Sequence, residues 1–170
     1  MAYIKVYRNW LPYGKMKDRR GFISRRYGNG HSGTDSVGNQ YDNPVCAVVD
    51  GTVTAVRYSE TLGHVVEYGN AAVKLAHYHL AKVLVKQGDA VQAGETVLGI
   101  EGGTGTMATG KHLHTSMWIG GGLTDPEPYL CGEKPLPGTE DVLKQEVQQL
   151  KEALTKANAV LEAVRKAVAL

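Results

Sequence analysis

The sequence predicts an all-β fold, an antiparallel sheet or sandwich, with one α-helix at its C-terminal end. Three observations carry this. Glycine is abundant, 21 of 170 residues, while Phe occurs once, as suits a turn-rich β protein. Between about residues 31 and 132, short β-rich runs alternate with glycine-centred turns at near-regular spacing, which argues for antiparallel strands rather than an α/β sheet. After the linker "GEKPLPG" the apolar residues recur in steps of four and three, the period of a helix seam.

Taken in order, residues 1–30 mix Tyr, Trp and basic residues with Gly and Pro. They read as extended strands and loops packed on, or leading into, a domain that spans about 22–132. They carry eight Lys/Arg against one Asp, whereas residues 31–138 carry six basic and eleven acidic residues. Such a segment suits nucleic acid, anionic lipid or an anionic polymer such as a cell wall, or is a solvated surface. Its aromatics form no recognisable base-stacking motif, so nucleic acid is not expected as a partner. In "PVCAVVDGTVTAVRY", Asp50-Gly51 separates two β-rich runs and signals a hairpin. In "HVVEYGNAAVKLAHYHL", Gly69-Asn70 does the same. Gly88-Asp89 and Gly94-Glu95 break "VLVKQGDAVQAGETVLGI" ahead of a strand over 96–100.

Beyond the linker at 133–138, a heptad-repeat helix is expected over 139–170. Val147, Leu154, Leu161 and Val168 take one seam position, and Leu143, Leu150, Ala157 and Val164 the other. Thr139 is placed to cap the start, with Glu140 and Asp141 favourably set against the helix dipole. Ala153, Val160 and Ala167 widen the stripe beyond a two-stranded seam, which favours several helices together or packing on another surface. A self-associating helix, hence a homo-oligomer, is expected; a helix folded back on its own domain is the alternative.

No window approaches the roughly 18 apolar residues of a membrane span. The first twenty residues lack the apolar stretch of a signal peptide, so the expected locations are the cytosol or release by a route without a cleaved signal. Cys46 and Cys131 lie far apart without CxxC spacing. They read as two reduced thiols rather than zinc ligands.

Five of the six histidines fall in three tight settings, "HSGTD", "AHYHL" and "KHLH". A catalytic zinc takes three ligands of the His/Asp/Glu type and keeps one position open. His31 and Asp35, four apart across Gly33, both reach one ion if the chain turns there. On a strand, His112 and His114 point the same way, so one of them completes a two-His, one-Asp set and the other is free to handle protons. No HExxH helix supplies a glutamate base, so the remaining histidines must, and their pKa suits the task.

These residues resemble the lysostaphin-type (LytM-like) zinc metallopeptidases that cut peptide bonds in bacterial peptidoglycan. The family's HxxxD is His31-Ser32-Gly33-Thr34-Asp35 and its HxH is His112-Leu113-His114. The resemblance extends through "PVCAVVDGTVTAV" and "HYHLAKVLVKQGDAVQAGETVLGIEGGTGTMATGKHLH", covering about residues 22–131. It implies Zn²⁺ as cofactor, His31, Asp35 and His114 as its ligands, and His79 and His112 as the catalytic pair that handles the attacking water. It also implies a narrow groove over an antiparallel sheet.

Departures from the family pattern are local. His77 stands where a Tyr is usual, and alternation sets it on the face of His79, as a candidate to support the site or as a surface substitution. Thr115-Ser116 replaces the usual "FE" after the HxH, so Thr115 is a candidate neighbour of the ligands. Tyr27 is a candidate to line the groove or hold an oxyanion, with core packing as the plainer role. His64 has no motif partner and reads as structural.

The expected function is therefore zinc-dependent hydrolysis of peptide bonds in peptidoglycan, within the stem peptide or the cross-bridge. Alternatives are an inactive peptidoglycan- or partner-binding module of the same fold, or an oligomerising virion component. Lipoyl-type carrier domains share the "VLVKQGDAVQAGETVLGI" pattern, but the lysine-bearing turn they need is missing. The expected setting is a phage lysin, held in the host cytoplasm before release or on the virion, and acting at the cell wall.

Overall fold

The computed structural model describes residues 4–14, 19–39 and 41–168, with side chains of the C-terminal helix described over 147–165. Its strands run β1 (Lys5–Tyr7), β2 (Gly21–Arg25), β3 (Thr34–Val37), β4 (Pro44–Cys46), β5 (Gly51–Ser59), β6 (Gly63–Gly69), β7 (Val73–Leu80), β8 (Lys82–Val83), β9 (Ala90–Val91), β10 (Val97–Ile100), β11 (Leu113–Ile119) and β12 (Gly122–Thr124). Two helices follow, the short α1 (Glu127–Leu130) and the long α2 (Thr139–Val168).

All strand pairs are antiparallel. The larger sheet has the order β1-β2-β3-β11-β7-β6-β5-β9, and β12 pairs with the far end of β11. A small sheet, β4-β10-β8, accompanies it. The all-β class with a C-terminal helix is as expected. Gly69-Asn70 does close the β6–β7 hairpin: Asn70 Oδ1 accepts the Ala72 and Val73 N–H groups at 2.9 and 3.2 Å, while the Asn70 N–H donates to the Val73 carbonyl.

Asp50-Gly51 is no hairpin turn. β4 pairs with β10 in the small sheet, whereas β5 pairs with β6 and β9 in the large one. The dipeptide carries the chain from one sheet to the other. Asp50 Oδ1 accepts the Ala93 N–H at 2.7 Å, and its carbonyl accepts Asn70 Nδ2 at 2.8 Å, so its polar atoms tie three connections together instead.

The core gathers Ile23, Tyr68, Leu75, Leu80, Leu98, Leu113, Met117 and Leu130, and it takes in Trp10 and Tyr13 from the basic N-terminal segment. Trp10 is fully buried and donates its indole N–H to Ser36 Oγ at 3.1 Å. Burying a ring of that size contributes about 4–6 kcal/mol by area, so the described part of the N-terminal segment around Trp10 and Tyr13 belongs to the folded unit. Within the same stretch, Lys15, Lys17 and Asp18 lie outside the described residues. Cys46 and Cys131 are both free.

The chain divides into two compact units, residues 1–136 and 137–170. In the second, Val147, Leu150, Leu154, Val160, Leu161 and Val164 of α2 are between 48% and 69% exposed. The side chains of the other seam residues, Leu143 and Val168, lie outside the described set, as do Ala167 and the cap residues Thr139, Glu140 and Asp141. Among the described residues no helix is long and apolar enough to cross a membrane.

Candidate active site

Loops and three neighbouring strands of the large sheet, β3, β11 and β7, build the site. His31 enters from a turn in which His31 and Gly28 exchange backbone hydrogen bonds at 3.0 Å. Its Nδ1–H donates to the Arg26 carbonyl at 2.8 Å, which leaves Nε2 as the lone-pair atom. Asp35 lies on β3 directly opposite His114 on β11, and residues directly opposite in an antiparallel pair share a face. The turn lies so close to β11 that a Cβ on Gly33 would stand 2.1 Å from the Thr115 carbonyl oxygen. Only glycine fits at position 33, midway between the histidine and the aspartate of this motif.

His31 Nε2, His114 Nδ1 and Asp35 Oδ1 therefore converge. The separations are 3.0 Å between the two nitrogens, 3.1 Å from His31 to Asp35 and 2.8 Å from His114 to Asp35. His31 cannot donate while its proton sits on Nδ1, so three electron-rich atoms meet unless a proton on His114 or a cation lies among them. Two imidazole nitrogens and a carboxylate oxygen are the donor set of a catalytic zinc. Their spacing falls slightly short of the roughly 3.3 Å between ligands of a tetrahedral ion with bonds of about 2.0–2.1 Å. The residues fit such an ion.

Electrostatics agree with that use. Burial holds the His31 pKa below its ordinary value, against the opposing pull of the Arg26 carbonyl and Asp35. Burial pushes Asp35 up, but its bond with His114 and the charges of His114, His31 and His112 outweigh this and bring it below the usual carboxylate range. A neutral imidazole and an ionised carboxylate are the forms that bind metal.

His79 and His112 face the same cleft, with ring centroids 4.8 Å apart. Each donates its Nδ1–H to a backbone carbonyl, His79 to Thr104 at 2.9 Å and His112 to Gly110 at 2.8 Å. In both rings Nε2 is left as the proton acceptor. His112 Nε2 lies 3.8 Å from Asp35 Oδ1. Burial lowers the His79 pKa, keeping that ring neutral and able to accept a proton. The cleft has a volume of about 380 Å³ and is also lined by Arg25, Ser32, Leu62, Tyr78 and Met107.

His77 differs from expectation. It stands opposite Thr115, while its neighbour Tyr78 stands opposite His114, so Tyr78 shares the ligand face and lines the cleft. His77 is fully buried: its Nε2 is 3.1 Å from the Tyr68 hydroxyl, and its Nδ1 is 3.0 Å from Thr115 Oγ1. Alternation fails because His79 has φ +62°, a left-handed conformation uncommon outside glycine. That residue turns back into the cleft, where a regular strand would have sent it to the face of His77. Thr115 thus supports His77 and not the ligands directly. Tyr27 neither lines the cleft nor enters the core; it is half-buried with its hydroxyl on the Leu123 carbonyl at 3.4 Å. His64 makes an edge contact with Tyr58, and its N–H donates to Thr104 Oγ1.

The family model described as Peptidase family M23 matches residues 29–126. Over 121 residues the chain is 32% identical to the peptidoglycan DD-endopeptidase ShyA of Vibrio cholerae serotype O1, covering 70% of this chain and 26% of that protein. It spans about a quarter of the length of the curated relatives it matches. Among solved structures, the catalytic domain of the antimicrobial peptidase lysostaphin from Staphylococcus simulans aligns with a TM-score of 0.58 at 27% identity, over 74% of this chain and 98% of that one. A zinc containing peptidase from Vibrio cholerae aligns with a TM-score of 0.58 at 28% identity, over 69% of this chain and 39% of that one. A match over more than half of its residues, on the fold of lysostaphin, makes this chain a member of Peptidase family M23.

Proposed function

We propose that the chain is a zinc-dependent endopeptidase that hydrolyses peptide bonds in bacterial peptidoglycan, with His31 Nε2, Asp35 Oδ1 and His114 Nδ1 holding the ion. The observation that carries this is the convergence of those three atoms within 2.8–3.1 Å on a cleft that also receives the His79 and His112 imidazoles. When bound, zinc supplies a Lewis acid for the scissile carbonyl and makes water nucleophilic near neutral pH. The chain's own part is proton handling. His79 and His112 offer Nε2 lone pairs toward the cleft, to orient water, take its proton and return one to the leaving amine. The Thr104 and Gly110 carbonyls hold the two rings in the tautomer this needs. Peptidoglycan as substrate is supported by the DD-endopeptidase relatives. The exposed apolar stripe of α2 supports self-association through that helix, an arrangement suited to a phage-derived, virion-associated lysin.

Metal content of the purified chain, measured beside the clearing of cell-wall suspensions with and without chelator, tests the proposal. The expected result is one zinc per chain and clearing abolished by chelator. Asp35→Asn and His114→Ala are expected to lose the metal and the clearing together. A chain that takes up no zinc on reconstitution refutes the ligand set. Zinc without clearing, on walls of different cross-links, refutes hydrolysis in favour of a binding module.

A further inference from the structure

The large sheet carries one cross-strand row on its cleft face: Arg25 opposite Asp35, Asp35 opposite His114, and His114 opposite Tyr78. Arg25 reaches this row only through a β-bulge. Ile23 stands opposite Ser36 and Arg25 opposite Asp35, so β2 spends two steps where β3 spends one. Ile23 is fully buried in the core, and regular alternation would send Arg25 to that same buried face. The extra residue at 24 re-aims it over the cleft instead, a use bulges commonly serve beside functional sites.

The guanidinium so placed is uncommitted. Arg26, next along the chain, donates Nε to Glu127 Oε2 at 2.9 Å, and Lys111 lies over the Tyr41 ring at 5.1 Å. Arg25 is exposed, and among the described residues no acidic side chain pairs with it. Among the described residues it is also the only Lys or Arg lining the cleft. A planar five-donor fork beside the reacting centre is matched by a carboxylate, which it binds through two parallel hydrogen bonds.

We propose that Arg25 binds a free carboxylate of the substrate, so that the cleft selects cross-linked peptides bearing a carboxyl group next to the scissile bond over neutral ones such as oligoglycine or amidated peptides. This rests on the hydrolase proposal above and assigns its substrate class.

The test uses the zinc-loaded full chain and two cross-linked muropeptide dimers that differ only at the carboxyl beside the cross-link, free in one and a carboxamide in the other. For the wild type the kcat/KM ratio of acid to amide dimer is expected at about ten or more, the scale of one charge-assisted contact. In Arg25→Gln that ratio is expected to fall to about one, and Arg25→Lys should retain an intermediate preference. A wild-type ratio near one overturns the proposal. So does an Arg25→Gln variant that keeps the wild-type ratio, whatever its absolute rate. If the wild type cleaves neither dimer, the hydrolase reading fails, and calorimetric binding of the same dimers decides the role of Arg25. Tighter binding of the acid dimer that is lost in Arg25→Gln sustains it, and equal binding overturns it.

Discussion

Lowering the pH from 7 to 4 is expected to destabilise the peptidase unit through His77. The ring is fully buried and both nitrogens are committed: Nε2 is 3.1 Å from the Tyr68 hydroxyl, which accepts the Val48 N–H at 2.9 Å, and Nδ1 faces Thr115 Oγ1. Protonation would put a charge into the core. Burial accordingly holds the pKa down to about 3, against an ordinary 6.5. For a base with a depressed native pKa, the unfolded chain binds the extra proton between those values. The stabilising contribution is therefore complete above about 6.5 and drains away as pH falls toward about 3. At pH 4 about 2.5 pH units have been crossed, which at about 1.4 kcal/mol each amounts to about 3 kcal/mol. The assay is urea unfolding of the zinc-free chain at pH 7, 5 and 4, for wild type and His77→Gln. The variant should start less stable at pH 7 and lose about 3 kcal/mol less on acidification. His31 and His79 shift in the same direction, and the comparison cancels them. Parallel pH profiles would refute the reasoning.

Other consequences can be measured alongside. His79→Ala and His112→Ala should each retain about one zinc per chain while wall hydrolysis falls by about 10²–10⁴-fold; metal loss in either would make that residue a ligand rather than a proton carrier. Glu101 runs opposite to His77. It is buried, accepts the Gly38 N–H and Asn43 Nδ2 on one oxygen, and burial raises its pKa. Its stabilising contribution is present below the ordinary value and lost as pH rises through the raised one, so Glu101→Gln should gain stability relative to wild type between pH 4 and 7 in the same unfolding assay. For α2, the pair Leu154→Asp and Leu161→Asp is expected to reduce the sedimenting mass to that of one chain, and an unchanged mass in a self-associated sample would place the contact elsewhere.

Spacing and strand period made legible that His31, Asp35 and one of His112 and His114 can meet; His79, which strand period alone sends to the other face, was implied only by the family resemblance. The class of fold was legible from its glycine punctuation. What escaped depends on departures from regular geometry that one-dimensional patterns do not carry. The left-handed backbone at His79 reversed the inferred facing of His77, and the bulge at residue 24 brought Arg25 to a face that alternation denies it. The carbonyls of Arg26, Thr104 and Gly110 that fix the histidine tautomers come from loops, and no side-chain pattern announces them. Asp50-Gly51 carries the local chemistry of a hairpin, but the partner strands of β4 and β5 come from distant parts of the chain. Likewise Trp10 and Tyr13 enter the core from a segment read as packed on, or leading into, the domain, and its charge did not show which of its aromatics are buried.

The three converging residues proposed as ligands are not held alike. Asp35 and His114 belong to neighbouring strands in the middle of the large sheet, where loss of position demands breaking several ladders at once. His31 hangs from a tight turn through Gly28, Asn29 and Gly30, all with positive φ. Local opening is cheapest where backbone bonds are few. The entry and departure of an ion would then be paced by that turn, with the sheet as a standing platform. Affinity would be written mainly in the sheet residues and residence time in the glycine-flanked arm.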